Sequence, residues 1–266
     1  MLFNHTTFLG IDPTLSHNTE PGQTRTRDRR AFVYAALNQE GHLIALGEGS
    51  LEDVLAFAGG QENAYVAVSA PRRPNQGLMT QESLREQLVP PPKPGRWMEF
   101  RLAEYLLRQR QIGMTPTPGR EEDCPGWMRS AFHLYQRLES FGFCPYPTAD
   151  APLQWLEVHP HACFSTLLGQ SPFPKHSLEG RLQRQLVLYQ QGLKIPDPMV
   201  FFEEITPFRL LRGSLPLKNV YTPEELDALA AAYTAWIAGL HPEQITLLGA
   251  PEEGQVALPI PEVKTH

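Results

Sequence analysis

Apolar and polar positions along this chain alternate in two rhythms, one of period two over short runs and one of helical period over longer stripes. The first run, Thr7-Phe8-Leu9-Gly10-Ile11-Asp12, ends in a carboxylate followed by Pro13, and a polar loop from Ser16 to Arg30 comes next. Residues 31–37 and 42–46 are β-rich and separated by Asn38-Gln39-Glu40-Gly41, which predicts a hairpin. Ser50 caps a predicted helix over residues 51–59, with Asp53 in its first turn and Gly59-Gly60 ending it. Residues 64–68 read as a strand parallel to the first, entering Ser69-Ala70-Pro71.

Residues 71–152 read as a helical insertion. It holds the cluster Pro90-Pro91-Pro92 with Pro94, a helix around residues 98–111, and a helix over 126–141 whose apolar stripe is Trp127, Ala131, Leu134, Leu138 and Phe141. A strand at 155–159 and helices at 162–168 and from Ser177 to Gly192 follow, the latter with Leu178, Leu182, Leu186 and Tyr189 as its stripe. An alanine-rich helix carries Asp227 in its first turn. Residues 245–248 and 255–258 flank Pro251-Glu252-Glu253-Gly254 as a closing hairpin. The expectation is one mixed α/β domain.

Composition narrows the function classes. At 266 residues and 41% hydrophobic content the chain can bury a sizeable core. A net charge of −6 and a pI near 5.9 exclude a surface that grips nucleic acid all over, though not a local basic groove. No run approaches the roughly 18 apolar residues of a membrane span, so no membrane partner is expected and the cytoplasm is the default compartment. Cys124, Cys144 and Cys163 are odd in number and lack a C-x-x-C, and read as buried thiols. His159 and His161 have no further His or Cys at zinc-ligand spacing.

Three carboxylates stand where a fold could gather them: Asp12 at the first strand's end, Glu157 in Trp155-Leu156-Glu157-Val158-His159, and Asp227. A buried carboxylate is costly unless protonated, paired or bound to a cation, so convergence would point to a divalent metal. Each has a plainer reading: Asp12 as a turn residue before Pro13, Glu157 as the exposed side of a strand, Asp227 as a helix-dipole partner. Among the cations, Arg101, Glu104 and Arg108 share a helix face and read equally as a solvated face or a phosphate grip. Arg181 and Arg184 lie opposite the leucine stripe, with Lys175 just before that helix. Arg25, Arg27, Arg29 and Arg30 make a basic stretch in the polar loop.

Several short motifs recur in one order: Gly10-Ile11-Asp12, Ser69-Ala70-Pro71, Arg101-x-x-Glu104 with Gly113 and Pro116, Glu157-x-His159-Pro160, Pro174-Lys175 ahead of Glu179-Gly180-Arg181-x-x-Arg184, the Asp227 helix and Pro251-x-x-Gly254. Together they resemble the predicted-nuclease family called domain of unknown function 429. The resemblance implies a ribonuclease H-like fold: a five-stranded mixed sheet flanked by helices, with the hairpin antiparallel beside the first strand and the 64–68 and 155–159 strands parallel on its other side. It also implies metal carboxylates at Asp12, Glu157 and Asp227 holding Mg²⁺ or Mn²⁺. The family's usual Asp-Ala-Pro turn is Ser69-Ala70-Pro71 here, and a hydroxyl brings no charge to a hard cation.

The expected activity is metal-dependent phosphodiester hydrolysis of nucleic acid. Arg101, Glu104, Lys175, Arg181, Arg184 and Ser69 would bind substrate, and His159 would assist proton transfer or pack the strand end. The alternative is a catalytically inactive module that binds nucleic acid or a nucleotide without cutting.

Overall fold

The structure is a computed structural model that describes residues 6–14 and 32–260. The basic stretch Arg25, Arg27, Arg29 and Arg30 lies outside the described residues. In chain order come β1 (Thr6–Pro13), β2 (Phe32–Leu37), β3 (Leu43–Gly49), α1 (Leu51–Gly59) and β4 (Asn63–Val68). The segment to β6 holds α2 (Glu82–Gln87), α3 (Leu102–Gln109), α4 (Gly126–Ser140) and the two-residue β5 (Cys144–Pro145). Then follow β6 (Leu153–Val158), α5 (Pro160–Leu168), α6 (Leu178–Gln190), α7 (Val200–Glu204), α8 (Pro207–Leu211), α9 (Pro223–Leu240), β7 (Ile245–Ala250) and β8 (Gly254–Pro259).

The strands form one mixed sheet in the order β3-β2-β1-β4-β6-β8-β7, with β5 also pairing β6. The hairpin of β2 and β3 lies antiparallel to β1, and β4 and β6 run parallel on the other side, as the sequence predicts. The strand number needs correcting from five to eight. Strand β8 adds parallel to β6 and carries β7 antiparallel, so the closing hairpin extends the sheet.

Alternation along β1 sends Phe8 to one face and Leu9 and Ile11 to the other. Helices α5, α6 and α9 cover the first face, and α1 and α4 cover the second. Every residue of α9 from Leu226 to Ala235 is buried, which is why its sequence is apolar nearly all round. Its start is set by Thr222, whose hydroxyl accepts from the Glu225 N–H while the Glu225 carboxylate accepts from the Thr222 N–H. Asp227 therefore sits in the second turn of the helix, not the first.

Backbone meets backbone where α9 crosses β1. A Cβ on Gly10 would stand 2.0 Å from the Ala228 carbonyl oxygen and 2.2 Å from the Ala232 nitrogen. Only glycine on the strand and alanines on the helix permit that approach.

Three helix readings change. The 98–111 helix begins at Leu102 with Arg101 as its N-cap, because the Glu104 carboxylate reaches back to the Arg101 N–H. In α6 the buried side holds Leu182, Arg184, Gln185, Val187 and Leu188, while Tyr189 is exposed, so Arg184 lies inside and not opposite the stripe. Phe141, expected on the α4 stripe, follows the helix end and is exposed. Among the described residues no helix is long and apolar enough to cross a membrane.

Replacing Gly10 by Ala forces α9 off the sheet and is expected to lower stability by about 3 kcal/mol in urea unfolding. Gly60→Ala, at a right-handed position with its nearest neighbour 3.4 Å away, serves as control and should change little. Equal stability of the two variants would contradict the contact.

Candidate functional site

The ends of β1, β4 and β6 open into a cleft of about 1320 Å³, walled by α9 and by the segment before α6. Clefts at the carboxyl ends of parallel strands are where α/β sheets bind ligands. Pairing of Ile11 with Val68, and of Val68 with Glu157, brings the three strand ends level. Asp12 and Ser69 then emerge one residue beyond, and His159 two.

Asp12 lies on the same strand face as Gly10, two residues on, so it points toward α9. Asp227 directly precedes Ala228, the residue whose carbonyl lies nearest Gly10. The glycine contact thus brings these carboxylates together at the cleft floor. The Ser69 hydroxyl donates to Asp12 Oδ1, and Lys175 Nζ donates to Asp227 Oδ2 at 2.8 Å. Among the described residues the other oxygen of each carboxylate has no hydrogen-bond partner.

Burial raises the Asp12 carboxyl from 3.8 to about 7, and the charge of Asp227 adds to the rise. Burial also raises Asp227, against the opposing pull of Lys175. Burial alone would lower the Lys175 ammonium, but the charge and hydrogen bond of Asp227 outweigh it and the net shift is upward.

Glu157 is in a different state. Arg101 grips it with both terminal nitrogens, Nη1 to Oε2 at 3.0 Å and Nη2 to Oε1, and the Arg72 N–H also donates to Oε2 at 3.1 Å. Arg101 Nε meanwhile donates to Glu104 Oε1 at 3.0 Å, and Glu104 also receives the hydroxyl and N–H of Thr117. Arg101 and Glu104 are each only 1% exposed and Glu157 only 2%. The plainer readings of Glu157 as an exposed strand side and of Arg101 with Glu104 as a solvated face are both corrected. This is a buried carboxylate–guanidinium–carboxylate cluster beneath the cleft. Burial opposes the Arg101 charge, yet Glu157 and Glu104 hold its pKa above the ordinary value.

The sequence-predicted residues therefore divide. Asp12, Asp227, Ser69, Lys175, His159 and Arg184 border the cleft. Arg101, Glu104 and Glu157 lie beneath them, one guanidinium between two carboxylates whose oxygens all have donors. Arg181 is turned away: Nε donates to the Tyr221 carbonyl at 2.7 Å and Nη2 to the Val220 carbonyl at 2.8 Å, bolting α6 to the entry of α9. Arg108 packs over the rings of Trp97 and Phe100.

His159 caps α5, its Nδ1 accepting from the Ala162 N–H at 3.2 Å. That bond leaves the ring proton on Nε2. Burial, then the charge of His161, pushes its pKa down to about 4, so it is neutral at pH 7. A neutral ring with Nδ1 engaged and Nε2 protonated offers a hydrogen-bond donor and no vacant base. Cys163, pushed up by burial to about 11, is an inert thiol.

Two cleft residues went unnoticed as site residues in the sequence. Trp127 read only as core, and Phe173 was passed over although Pro172-Phe173-Pro174 stands directly before Lys175. A bulky aromatic locked between prolines ahead of a cation was the signal.

The donor set suits a hard divalent cation in part. Asp12 and Asp227 fit one: two adjacent carboxylates with raised pKa values and an oxygen each to spare. The three-carboxylate shell does not form, since Arg101 holds Glu157, and among the described residues no cluster of three His, Cys, Asp or Glu ligands occurs.

The family model described as "Protein of unknown function (DUF429)" matches residues 10–253. The chain belongs to that family. No curated protein and no solved structure matches the chain. The matched span of this DUF429 chain runs from Gly10 at the helix–strand contact to Glu253 beside β8, and so takes in every cleft-lining residue except Val256.

Asp12 and His159 have opposite linkage to pH. The folded state keeps the Asp12 proton up to about pH 7, whereas the unfolded chain releases it near 3.8, so that contribution is full below 3.8 and lost as pH rises through 7. His159 contributes fully above 6.5 and loses its share as pH falls through 4. Asp12→Asn should therefore be more stable than wild type at pH 8, on the order of 3 kcal/mol, with the gain vanishing by pH 4. Parallel stability curves would refute it. Arg101→Met strands two buried carboxylates and should cost about 3–5 kcal/mol by urea unfolding.

Proposed function

We propose that the cleft hydrolyses phosphodiester bonds of nucleic acid with one Mg²⁺ or Mn²⁺ held by Asp12 and Asp227, on a ribonuclease H-like arrangement of the sheet. One observation carries the reading: two mutually repelling carboxylates, Asp227 buried and Asp12 half-buried, meet at the end of the central strand, with one oxygen each unpartnered among the described residues. Such pairs are expensive to keep and cluster at functional sites. The cation, when bound, would lower the pKa of water and stabilise charge on phosphoryl oxygens.

The protein's own groups do the rest. Ser69 fixes the rotamer of Asp12 by donating to Oδ1. Lys175 balances Asp227 and, with Arg184 behind it, makes that wall of the cleft cationic toward phosphate. His159 presents a neutral N–H donor. Arg101 keeps Glu157 neutralised below, so the Asp pair is not crowded by a third negative charge.

A second reading, binding without cutting, is favoured by the Lys175–Asp227 bond itself. An ammonium 2.8 Å from Asp227 already supplies part of the positive charge that a metal would bring.

Millimolar Mn²⁺ should raise the melting temperature of wild type by several degrees, ~1 kcal/mol being worth ~2–4 °C at this size. Asp12→Asn should show no rise, and Lys175→Met a larger one. Labelled DNA and RNA, single- and double-stranded, should be cut by wild type with Mn²⁺, faster by Ser69→Asp, and not by Asp12→Asn. Substrate binding without cleavage by all three proteins would replace the nuclease with the binding module.

A further inference from the structure

Among the described residues a handful of large aromatic side chains are exposed, and of these Phe173, with 53% of its surface open, is the one that lines the cleft. Its backbone is tethered on both sides. The Phe173 N–H donates to Gln183 Oε1 at 2.8 Å, and its carbonyl accepts from Arg184 Nη1 at 2.7 Å. Arg184 is only 3% exposed, donates also to the Gly180 carbonyl at 3.0 Å, and lies over the Phe164 ring. Pro172 and Pro174 stiffen the segment from within. A Cβ on Gly180 would stand 2.0 Å from the Pro174 carbonyl oxygen, so this stretch is pressed directly onto α6.

A buried arginine, a glutamine and a glycine contact thus fix the backbone from which an exposed ring projects into water. Nothing in the core needs that ring where it is, since it belongs to none of the buried clusters. A two-torsion aromatic side chain on an anchored backbone loses little freedom when a planar partner settles on it. Two residues on, Lys175 reaches Asp227, so whatever lies on the ring is one short step from the carboxylate pair.

We infer that Phe173 is a stacking platform for a nucleobase, and that the cleft takes single-stranded nucleic acid. The inference rests on the nucleic-acid reading above, but not on cleavage. A base in a duplex has both faces covered by its neighbours, whereas a single strand offers a free face to an aromatic ring.

The test measures binding of labelled strands to the full chain by fluorescence anisotropy in EDTA, where no metal-dependent cutting occurs. Phe173→Ala should weaken single-strand binding about tenfold. Phe173→Trp should retain it, and Phe173→Leu, apolar but not planar, should fall with the alanine variant. An abasic strand should bind wild type as weakly as an intact strand binds Phe173→Ala. Blunt duplex should bind weakly and ignore all three substitutions. Equal affinity for duplex and single strand, full binding by Phe173→Leu, or displacement of the strand by an equal concentration of free mononucleotide would overturn the proposal. Phe173-dependent binding without cleavage in Mn²⁺ would sink only the hydrolase. A wild type that binds no nucleic acid would sink both.

Discussion

A helix backbone resting directly on a strand backbone is the constraint on which the rest of this molecule depends. Gly10 leaves room for Ala228 and Ala232, and no larger residue fits at that crossing. The contact fixes the height of α9 over the sheet, and with it the position of every residue α9 carries to the strand ends. Because side chains on a strand repeat every second residue, the position that must be glycine and the carboxylate two residues later face the same helix. The helix brings its own carboxylate one residue before the alanine it is pressed on. Core packing and carboxylate convergence are one geometric fact.

Two groups of acidic residues line the same cleft and are treated oppositely. Glu104 and Glu157 share a single arginine, and backbone N–H groups and Thr117 take up their remaining oxygens. Every carboxylate oxygen there has a donor, and the cluster anchors α3 to β6. Asp12 and Asp227 have one hydroxyl and one half-exposed ammonium between them. Each group sets one cation against two carboxylates, and the difference is in hydrogen-bond donors, which run short only at the pair that faces the cleft. Had Arg101 been placed at the Asp pair, the cleft would be electrostatically inert.

Much of the architecture was legible in the chain. Period-two runs marked the central strands, Ser50 and the glycines after residue 58 bounded α1, and the alanine-rich helix told of close packing. What failed did so for physical reasons. Arg101, Glu104 and Arg184 look like surface residues because burial of a charge needs partners far away in sequence, and Glu157 is 56 residues from its arginine. Arg181 carries the same spacing signal as Arg184, yet its guanidinium is used up on carbonyls that only the fold brings near. His159 read as a strand residue because Pro160, tolerated in a helix's first turn, hid the start of α5. The closing hairpin was recognised, but its parallel docking on β6 leaves no local mark.

Glu253 is fully buried, and its carboxylate oxygens accept from the backbone N–H groups of Leu102 at 2.8 Å and Gln76 at 3.1 Å. Those donors lie 151 and 177 residues earlier, on both sides of the insertion's first helix. During synthesis the ribosome must therefore make nearly all of the chain before the wall carrying α3 has its acceptor. Until then two N–H groups destined for burial have only water to satisfy them. The early strands and α1 have their neighbours far sooner, but the cleft wall waits for the last hairpin. A chain interrupted short of residue 253 would retain the Asp12 strand and lack a settled wall beside it, which separates assembly of the sheet from assembly of the site in time.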